Sequence, residues 1–357
     1  MRVECPSCHN VLNIPDERLP KKDVIVFPCP ACKGTIGLDL RSTPSEEPPP
    51  LSPKAATGKG SAKIRAALEA EGLLSGEKLK RKILRTIQDL PPMPQTTFKA
   101  LELIRNPNTS YEDLARVLET DQATATRVLR IANSPYYGMS GKISSLKFAS
   151  TVLGLKAIEE LVVVAGSTKA LGKRLEGYGL EAGDLWQHSL GVAFGSKIIA
   201  ARKNPGIAND AFSAGLIHDA GKLALDSFIL ERKQAFKTFL SDGKETFLHA
   251  EREILGFDHG EIASELCTSW NVPQNLATAI RYHHNPSMSN SNHLTYIVHV
   301  ADIIAMMSGL GAGIDHRQYT MDEKAMAMLG IEQDDLSTII VQVVNTVQKI
   351  VADMQRT

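Results

Sequence analysis

Hydrophobic positions recur at three- and four-residue spacings through most of the chain, a period typical of amphipathic helices. The pattern predicts helices over 79–90, 98–104, 114–131, 146–171, 185–201, 211–229, 262–270, 276–282, 294–310 and 336–353. Clusters of proline and asparagine, such as those at 91–94 and 133–135, separate these helices. Alternation with a period of two, which is typical of strands, is scarce after residue 40. We therefore predict a mainly all-α protein.

The first 40 residues carry a different pattern, with an alternating strand from Val24 to Phe27 and four of the five cysteines in two CxxC pairs. Two CxxC turns that face each other form the tetrahedral four-sulfur site that zinc prefers, and such a closed site is structural. The unit resembles the zinc-ribbon modules of bacterial regulatory proteins, which are interaction elements. We therefore predict a small β zinc ribbon over residues 1–40 with the ligands Cys5, Cys8, Cys29 and Cys32.

Residues 41–75 form the predicted connection between this unit and the helical body. Its first part, 41–62, contains five prolines and four serines and almost no apolar residue. Such a segment cannot bury enough surface to offset the entropy of ordering it, so we predict a flexible linker. Between residues 63 and 85, lysine and arginine outnumber glutamate by seven to three. We interpret this stretch as a solvated helix face, and a contact with an acidic partner or nucleic acid is the alternative.

The balance of charged residues argues against a protein that mainly coats nucleic acid. Forty lysine and arginine residues balance forty aspartate and glutamate residues, so the formal net charge is zero. Proteins that coat nucleic acid usually carry a basic excess, so the composition argues against that class. No apolar run reaches the roughly 18 residues that span a bilayer, and no apolar segment follows the charged N-terminus. We therefore expect a cytoplasmic protein without membrane contact.

The region that begins at Ser110 permits two interpretations. Ser110 can cap a helix, and Thr120 and Asp121 can form a turn. Arg127 and Arg130 would then lie along a second helix. This order is compatible with a DNA-binding helix-turn-helix, but a base-reading helix usually carries more basic residues. We therefore favour ordinary helix packing and do not expect nucleic acid to be a main partner.

Five short motifs in the helical body occur in a characteristic order. They are Leu-Pro-Pro-Met-Pro at 90–94, Ile-Arg-Asn-Pro-Asn at 104–108, the segment 114–121, Arg-Ile-Ala-Asn-Ser-Pro at 130–135 and Leu-Gly-Leu at 153–155. This series resembles the HDOD family of bacterial signalling proteins, which are relatives of the HD phosphohydrolases. The resemblance implies an all-α body in two helical lobes. It places an HDOD domain over 76–285. We also predict a C-terminal helical extension, packed on that body, over 286–357.

Histidine is concentrated in one part of this body, because nine of the ten histidines lie between residues 188 and 316. The densest element is His218-Asp219, with Gly221 and Lys222 close behind. Neighbouring side chains can bind one cation only where a helix ends or bends, and Gly221 is consistent with such a break. In the light of the resemblance, one set matches the metal ligands of the HD superfamily: His188, His218, Asp219 and Asp302. The superfamily uses such a metal to activate water for phosphoester cleavage.

Further residues match the two-metal branch of the superfamily, which includes the HD-GYP enzymes. The resemblance implies that His259, His283 and His284 bind a second metal and that Asp219 bridges the two ions. Asp184 corresponds to an extra acidic ligand of some HD-GYP sites. Because imidazole favours transition metals, we expect one or two divalent ions of Fe, Mn or Zn.

Other side chains near this set have different expected roles. Lys222 matches the lysine of the HDxGK motif, which can contact phosphate, so Lys222 and Asp219 are the candidate catalytic residues. A solvated lysine at a helix end is the alternative for Lys222. Four histidines have no matching place in the family, and we interpret them as structural or surface residues: His249, His293, His299 and His316.

The chain departs from the HD-GYP pattern directly after the histidine pair. Those enzymes continue with an acidic residue and a Gly-Tyr-Pro sequence, whereas this chain continues with Asn285-Pro286. We therefore do not expect hydrolysis of cyclic-di-GMP.

The sequence is compatible with three functions. The first is a signal-transduction protein with a retained metal site that acts mainly through regulatory protein partners. The second is a metal-dependent phosphohydrolase that acts on a nucleotide or another phosphoester. The third is a nucleic-acid-binding regulator that uses the zinc ribbon and the basic stretch.

Overall fold

The computed structural model describes residues 2–4, 11–13, 24–28, 35–39, 68, 72–87, 95–138, 142–241, 243–270, 272–311, 313–314 and 320–355. The chain forms two compact units, Met1–Ala56 and Thr57–Thr357. In the described part of the chain, no helix is long and apolar enough to cross a membrane.

The N-terminal unit contains two antiparallel strand pairs. Strand β1 (Arg2–Glu4) pairs with β2 (Val11–Asn13), and β3 (Val24–Pro28) pairs with β4 (Thr35–Asp39). The predicted alternating strand is confirmed as β3. Along the chain, each CxxC pair falls between the two strands of one pair, but all four cysteines lie outside the described residues. The zinc ribbon therefore stays a prediction.

The second unit is helical, and its described residues contain no β-sheet. This confirms the prediction of a mainly all-α body. The helices are α1 (Gly76–Ile87), α2 (Gln95–Arg105), α3 (Tyr111–Glu119), α4 (Gln122–Ala132), α5 (Leu146–Leu153), α6 (Leu155–Leu171), α7 (Asp184–Lys203), α8 (Ala208–Ile217), α9 (Ala220–Glu231), α10 (Lys233–Phe239), α11 (Phe247–Ile254), α12 (His259–Ser269), α13 (Gln274–Arg281), α14 (His293–Met307), α15 (Glu323–Leu329) and α16 (Gln333–Gln355).

Short polar or glycine junctions divide several of the predicted helical segments. Asp121 caps α4, because its side chain accepts hydrogen bonds from the backbone N–H groups of Ala123 and Thr124. Gly154 separates α5 from α6 with a φ of 79°, a conformation that favours glycine. A continuous apolar period can therefore cover two helices that meet at a sharp turn.

The pair α3–α4 is arranged for packing against the rest of the body. Arg130 on α4 donates a hydrogen bond from Nη1 to the carbonyl oxygen of Met354 on α16, at 3.1 Å. Arg127, three residues earlier, borders the same space between α4 and α16. Arg130 thus contacts another helix of this chain, which favours the packing interpretation over the helix-turn-helix.

Helix α7 occupies the centre of the body and organises the functional site. It is buried along most of its length, through residues such as Leu190, Phe194 and Ile199. A helix that is apolar all round is expected to be surrounded by other elements. It packs against α8 and against α14 and α16, which lie in the predicted C-terminal extension. Helix α12 packs on α9 and α13.

Candidate metal centre

The His218-Asp219 pair lies at the junction of two helices. His218 is the residue after α8, and Asp219 is the residue before α9. The break in the backbone turns both side chains inward, so that His218 Nε2 lies 3.4 Å from Asp219 Oδ2. Both residues are buried. The junction therefore directs an imidazole and a carboxylate toward one centre.

The Asp219 carboxylate is the hub of a larger cluster. On one side, Oδ1 lies 3.3 Å from Nε2 of His259 and 3.9 Å from Nε2 of His283. On the other side, Oδ2 lies 3.7 Å from Nε2 of His188. The two carboxylate oxygens thus face two different groups of histidines, as a bridging carboxylate would.

Asp302 on α14 supplies a second carboxylate to the cluster. Its Oδ1 lies 3.1 Å from Nε2 of His188 and 3.8 Å from Nε2 of His218. Its Oδ2 lies 3.8 Å from Nδ1 of His284. His284 also approaches His259, with 2.8 Å between the two Nε2 atoms. All seven residues that the sequence assigns to the two metal positions therefore meet in one place.

Their ligand atoms form three overlapping groups, each with all atoms within 4.8 Å of one another. These groups are Asp219 with His259, His283 and His284; His188 with His218 and Asp219; and His218 with His283 and Asp302. Asp219 belongs to two of these groups and connects them. The arrangement could hold one ion or two.

Hydrogen bonds fix which ring nitrogen of four histidines faces the centre. A ring nitrogen that faces an oxygen acceptor donates its N–H to that acceptor. In each case Nδ1 faces the acceptor: His188 and Leu310 O at 3.3 Å, His218 and Gly215 O at 2.8 Å, His259 and Glu251 Oε2 at 2.8 Å, and His283 and Ile280 O at 2.6 Å. The four Nε2 atoms therefore face the cluster.

The cluster contains buried polar atoms that the described residues leave without a hydrogen-bond partner. They include Nε2 of His218, Nε2 of His283 and Oδ1 of Asp219. Buried polar atoms normally have partners, so such a concentration indicates a missing ligand. Imidazole nitrogen and carboxylate oxygen together suit divalent Fe, Mn or Zn. The residues therefore fit a transition-metal centre.

Electrostatics keeps two of these histidines in the neutral, ligand form. Burial, together with the neighbouring His218, lowers the pKa of His283 to about 3. Burial and the neighbouring His283 hold the pKa of His284 well below its usual value. Both rings therefore keep a nitrogen lone pair available for a cation at neutral pH.

Glu251 on α11 contacts the cluster and was not among the residues identified from the sequence. It is fully buried and accepts hydrogen bonds from the backbone N–H of His259 at 3.0 Å and from the Tyr178 hydroxyl at 2.6 Å. Burial opposes protonation of His259, but the charge and hydrogen bond of Glu251 outweigh it and raise the pKa of His259 to about 9. The available signal was an acidic residue within the apolar stripe of α11, between Phe247 and Ile254.

Lys222 on α9 lies at the edge of the cluster. Its Nζ is 2.6 Å from Oδ2 of Asp219 and lies over the ring of Tyr178, 5.6 Å from the centroid. The residue is buried. Lys222 therefore places a positive charge directly beside the shared carboxylate.

Asp184 and His299 lie outside the three ligand groups. The Asp184 carboxylate accepts a hydrogen bond from the backbone N–H of Glu181 at 2.8 Å, at the start of α7. His299 uses both ring nitrogens: Nδ1 donates to the carbonyl oxygen of His283 at 2.7 Å, and Nε2 accepts from the backbone N–H of Asp322 at 2.9 Å. His299 is therefore a structural residue.

We expect Glu251→Gln to weaken metal binding about tenfold or more, because groups that orient a ligating histidine are typically worth about 10–100-fold in affinity. The loss of charge would leave Nδ1 of His259 without its carboxylate partner. Chelator competition with zinc measures the affinity. Glu253→Gln, on the same helix but beside the surface residue His249, is the matched control and should bind like the wild type. Equal affinities for the two variants would contradict the role of Glu251.

Comparison with known proteins agrees with this architecture. A family model of the HDOD domain matches residues 90–286. A relative from Treponema pallidum (strain Nichols), an uncharacterized protein, is 26% identical over 218 residues. The matched region covers 58% of this chain but only 40% of that relative.

Three crystal structures have a similar fold. An HDOD domain protein of unknown function from Geobacter sulfurreducens has a TM-score of 0.62 at 24% identity and covers 78% of this chain and 97% of its own. A candidate phosphohydrolase from Shewanella amazonensis SB2B has a TM-score of 0.59 at 22% identity, with coverages of 76% and 97%. A candidate signal transduction protein from Marinobacter aquaeolei VT8 has a TM-score of 0.60 at 23% identity, with coverages of 82% and 65%.

The order of motifs, the helical body and a family match that spans more than half of the sequence agree with one another. The protein therefore belongs to the HDOD domain family.

Proposed function

We propose that this HDOD protein is a signal-transduction protein whose His/Asp cluster holds one or two divalent transition-metal ions, and that it acts mainly through regulatory protein partners. The observation that carries the proposal is the convergence of four Nε2 atoms on the carboxylates of Asp219 and Asp302, with buried atoms that lack hydrogen-bond partners among the described residues. A structure without a metal role would pair such atoms with protein donors and acceptors.

The burial of the ligands favours signalling over turnover. Each of the seven ligand side chains is at most 8% exposed. After the His283-His284 pair, a short 3₁₀ turn at Pro286–Met288 stands where the HD-GYP enzymes have their Gly-Tyr-Pro sequence. A buried centre suits a regulated structural state better than rapid exchange of a large substrate.

A metal-dependent phosphohydrolase is the second candidate, and Lys222 is the observation that favours it. When bound, the metal would lower the pKa of a coordinated water and polarise a phosphoryl oxygen. Lys222 Nζ, beside Asp219 Oδ2, could neutralise charge on a phosphate oxygen. Asp219 and Asp302 would hold the ion, and the backbone carbonyls that face the histidines would keep the rings oriented.

Turnover by the metal-loaded full chain separates the two candidates. The chain is loaded with Fe, Mn or Zn, its metal content is measured, and it is incubated with cyclic-di-GMP and with bis(p-nitrophenyl) phosphate. We expect bound metal and no appreciable conversion of cyclic-di-GMP. Conversion of either compound that is lost in Asp219→Asn would establish the phosphohydrolase instead. A chain that binds no metal in the cluster would contradict both candidates.

We also propose that the N-terminal cysteines bind one zinc ion. The doubled CxxC spacing supports this, as does the position of each pair between two antiparallel strands along the chain. Such a small unit gains its folding free energy from the metal. The module would then serve as an interaction element for a regulatory protein.

For the zinc site, we expect the Asp219→Asn chain to retain about one zinc per chain, because a four-cysteine site does not depend on the His/Asp cluster. Replacing Cys5, Cys8, Cys29 and Cys32 by serine in that background should remove this zinc. Elemental analysis after dialysis measures both. Retention of zinc in the serine variant would contradict the ribbon.

A further inference from the structure

A second candidate site lies away from the metal centre, in a cleft of about 640 Å³. The cleft is formed by α4, the beginning of α7 and the end of α16, with Thr168 of α6 at its edge. One face of α4 lines the cleft through four residues at helical spacing: Ala123, Thr126, Arg127 and Arg130. None of the lining residues belongs to the His/Asp cluster, and the volume lies within the range of small-molecule sites.

The cleft carries positive charge without an acidic lining residue. Its charged lining residues are Arg127 and Arg130. Arg130 donates one of its five N–H groups to the carbonyl oxygen of Met354. Arg127 forms no hydrogen bond or ion pair with the described residues. The carboxylate of Asp121, which accepts hydrogen bonds from Ala123 and Thr124, also interacts electrostatically with Arg127.

A buried donor in the wall of the cleft also lacks an acceptor. Trp186 on α7 lines the cleft and is 5% exposed. Its Nε1 is buried and has no hydrogen-bond partner among the residues that the structure describes. A buried indole N–H normally finds an acceptor. Because this atom has almost no accessible surface, the indole forms part of the cleft wall with its N–H enclosed by protein.

We propose that this cleft binds a small phosphomonoester. Two guanidinium groups one helical turn apart can surround the tetrahedral, doubly charged phosphate group, which offers more acceptor oxygens than a planar carboxylate. Gln122 and Gln187 can form hydrogen bonds with polar groups of the remainder of the ligand, and Val351 and Met354 provide an apolar wall. The cleft is therefore an input site for a phosphorylated small molecule.

The position of the cleft connects it to the metal centre through α7. Trp186 lies in the wall of the cleft, and His188, two residues later, lies in the His/Asp cluster. A ligand that shifts this turn of α7 would change the geometry around His188. Only this coupling rests on the proposed metal function, because phosphate binding itself does not require a metal.

Binding is tested with adenosine monophosphate and with inorganic phosphate on the full chain treated with EDTA, which removes any metal that could bind phosphate. Calorimetric titration gives the affinity. In a Trp270→Phe background, fluorescence reports on Trp186, since the chain has two tryptophans. We expect saturable binding of adenosine monophosphate, weaker binding of inorganic phosphate, and a change in Trp186 fluorescence.

We expect Arg127→Gln to weaken binding at least about tenfold, the size of one charge-assisted hydrogen bond. Arg127→Lys should retain part of the affinity. Arg116→Gln, on the exposed face of α3, removes the same charge and should bind like the wild type. Circular dichroism checks the fold of each variant. Unchanged affinity in Arg127→Gln, or the absence of calorimetric binding of both compounds at millimolar concentrations, would overturn the proposal.

Discussion

Asp219→Asn is expected to abolish metal binding in the His/Asp cluster. The substitution keeps the size of the side chain but removes the negative charge that both histidine groups share. One Asp219 oxygen faces His259 and His283 while the other faces His188, so no neighbouring carboxylate can replace it in both groups. Its ionised form is favoured even without a metal, because His218 and Lys222 outweigh burial and hold the pKa of Asp219 well below its usual value.

Elemental analysis and thermal unfolding with and without added metal measure this effect. A ligand that binds only the folded state raises the melting temperature. The wild type should show this rise, and Asp219→Asn should not. Asp210→Asn, an exposed position on α8, is the matched control and should behave like the wild type. Metal-dependent stabilisation of the Asp219→Asn variant would show that the cluster is not the metal site.

Gly221→Ala is expected to disrupt the site by displacing backbone atoms. A Cβ atom at this position would lie 2.0 Å from the carbonyl oxygen of His259 and 3.0 Å from the backbone nitrogen of Ala263. Backbone atoms cannot turn aside as a flexible side chain can, so α9 and α12 must separate. Asp219 precedes α9 and His259 begins α12, so the same movement separates two ligands. We expect a loss of about 3 kcal/mol in the free energy of unfolding, at the upper end of overpacking effects.

Urea unfolding measures the stability of the Gly221→Ala variant, and chelator competition measures its metal affinity. Gly206→Ala is a suitable control, because its added Cβ would meet only the side-chain oxygen of Asn204, at 3.3 Å on the surface. That control should change stability by less than about 0.5 kcal/mol. A Gly221→Ala variant that unfolds and binds metal like the wild type would contradict the close contact between α9 and α12.

The helical body could be predicted because its long helices display several full periods of apolar residues. Short helices do not: α10 (Lys233–Phe239) and α15 (Glu323–Leu329) have seven residues each, which is about two turns, and neither was predicted. The division at Gly154 was also missed, because the apolar period continues from α5 into α6. Hydrophobic periodicity reports burial, and burial continues across a turn that lies inside the protein.

The ligand set was predicted through its resemblance to a family, since no spacing rule brings residues 188 and 302 together. Three-dimensional packing decides the rest. Asp184 stands four residues before His188, on the same helix face, yet its carboxylate turns back to the N–H of Glu181 at the helix start. Glu251 was overlooked because an acidic residue at an apolar position is inconspicuous in a periodic pattern. Its partners, His259 and Tyr178, lie on other elements.

The scattering of the ligands along the chain has a consequence for folding kinetics. His188, His259 and Asp302 come from α7, α12 and α14, so the cluster closes loops of many tens of residues. Such long-range contacts carry a large loop-closure entropy and form late. An ion that needs all of them would bind after the rate-limiting step of folding. We therefore expect added metal to slow unfolding while leaving the folding rate nearly unchanged. The ion would then stabilise the folded body kinetically, after folding is complete.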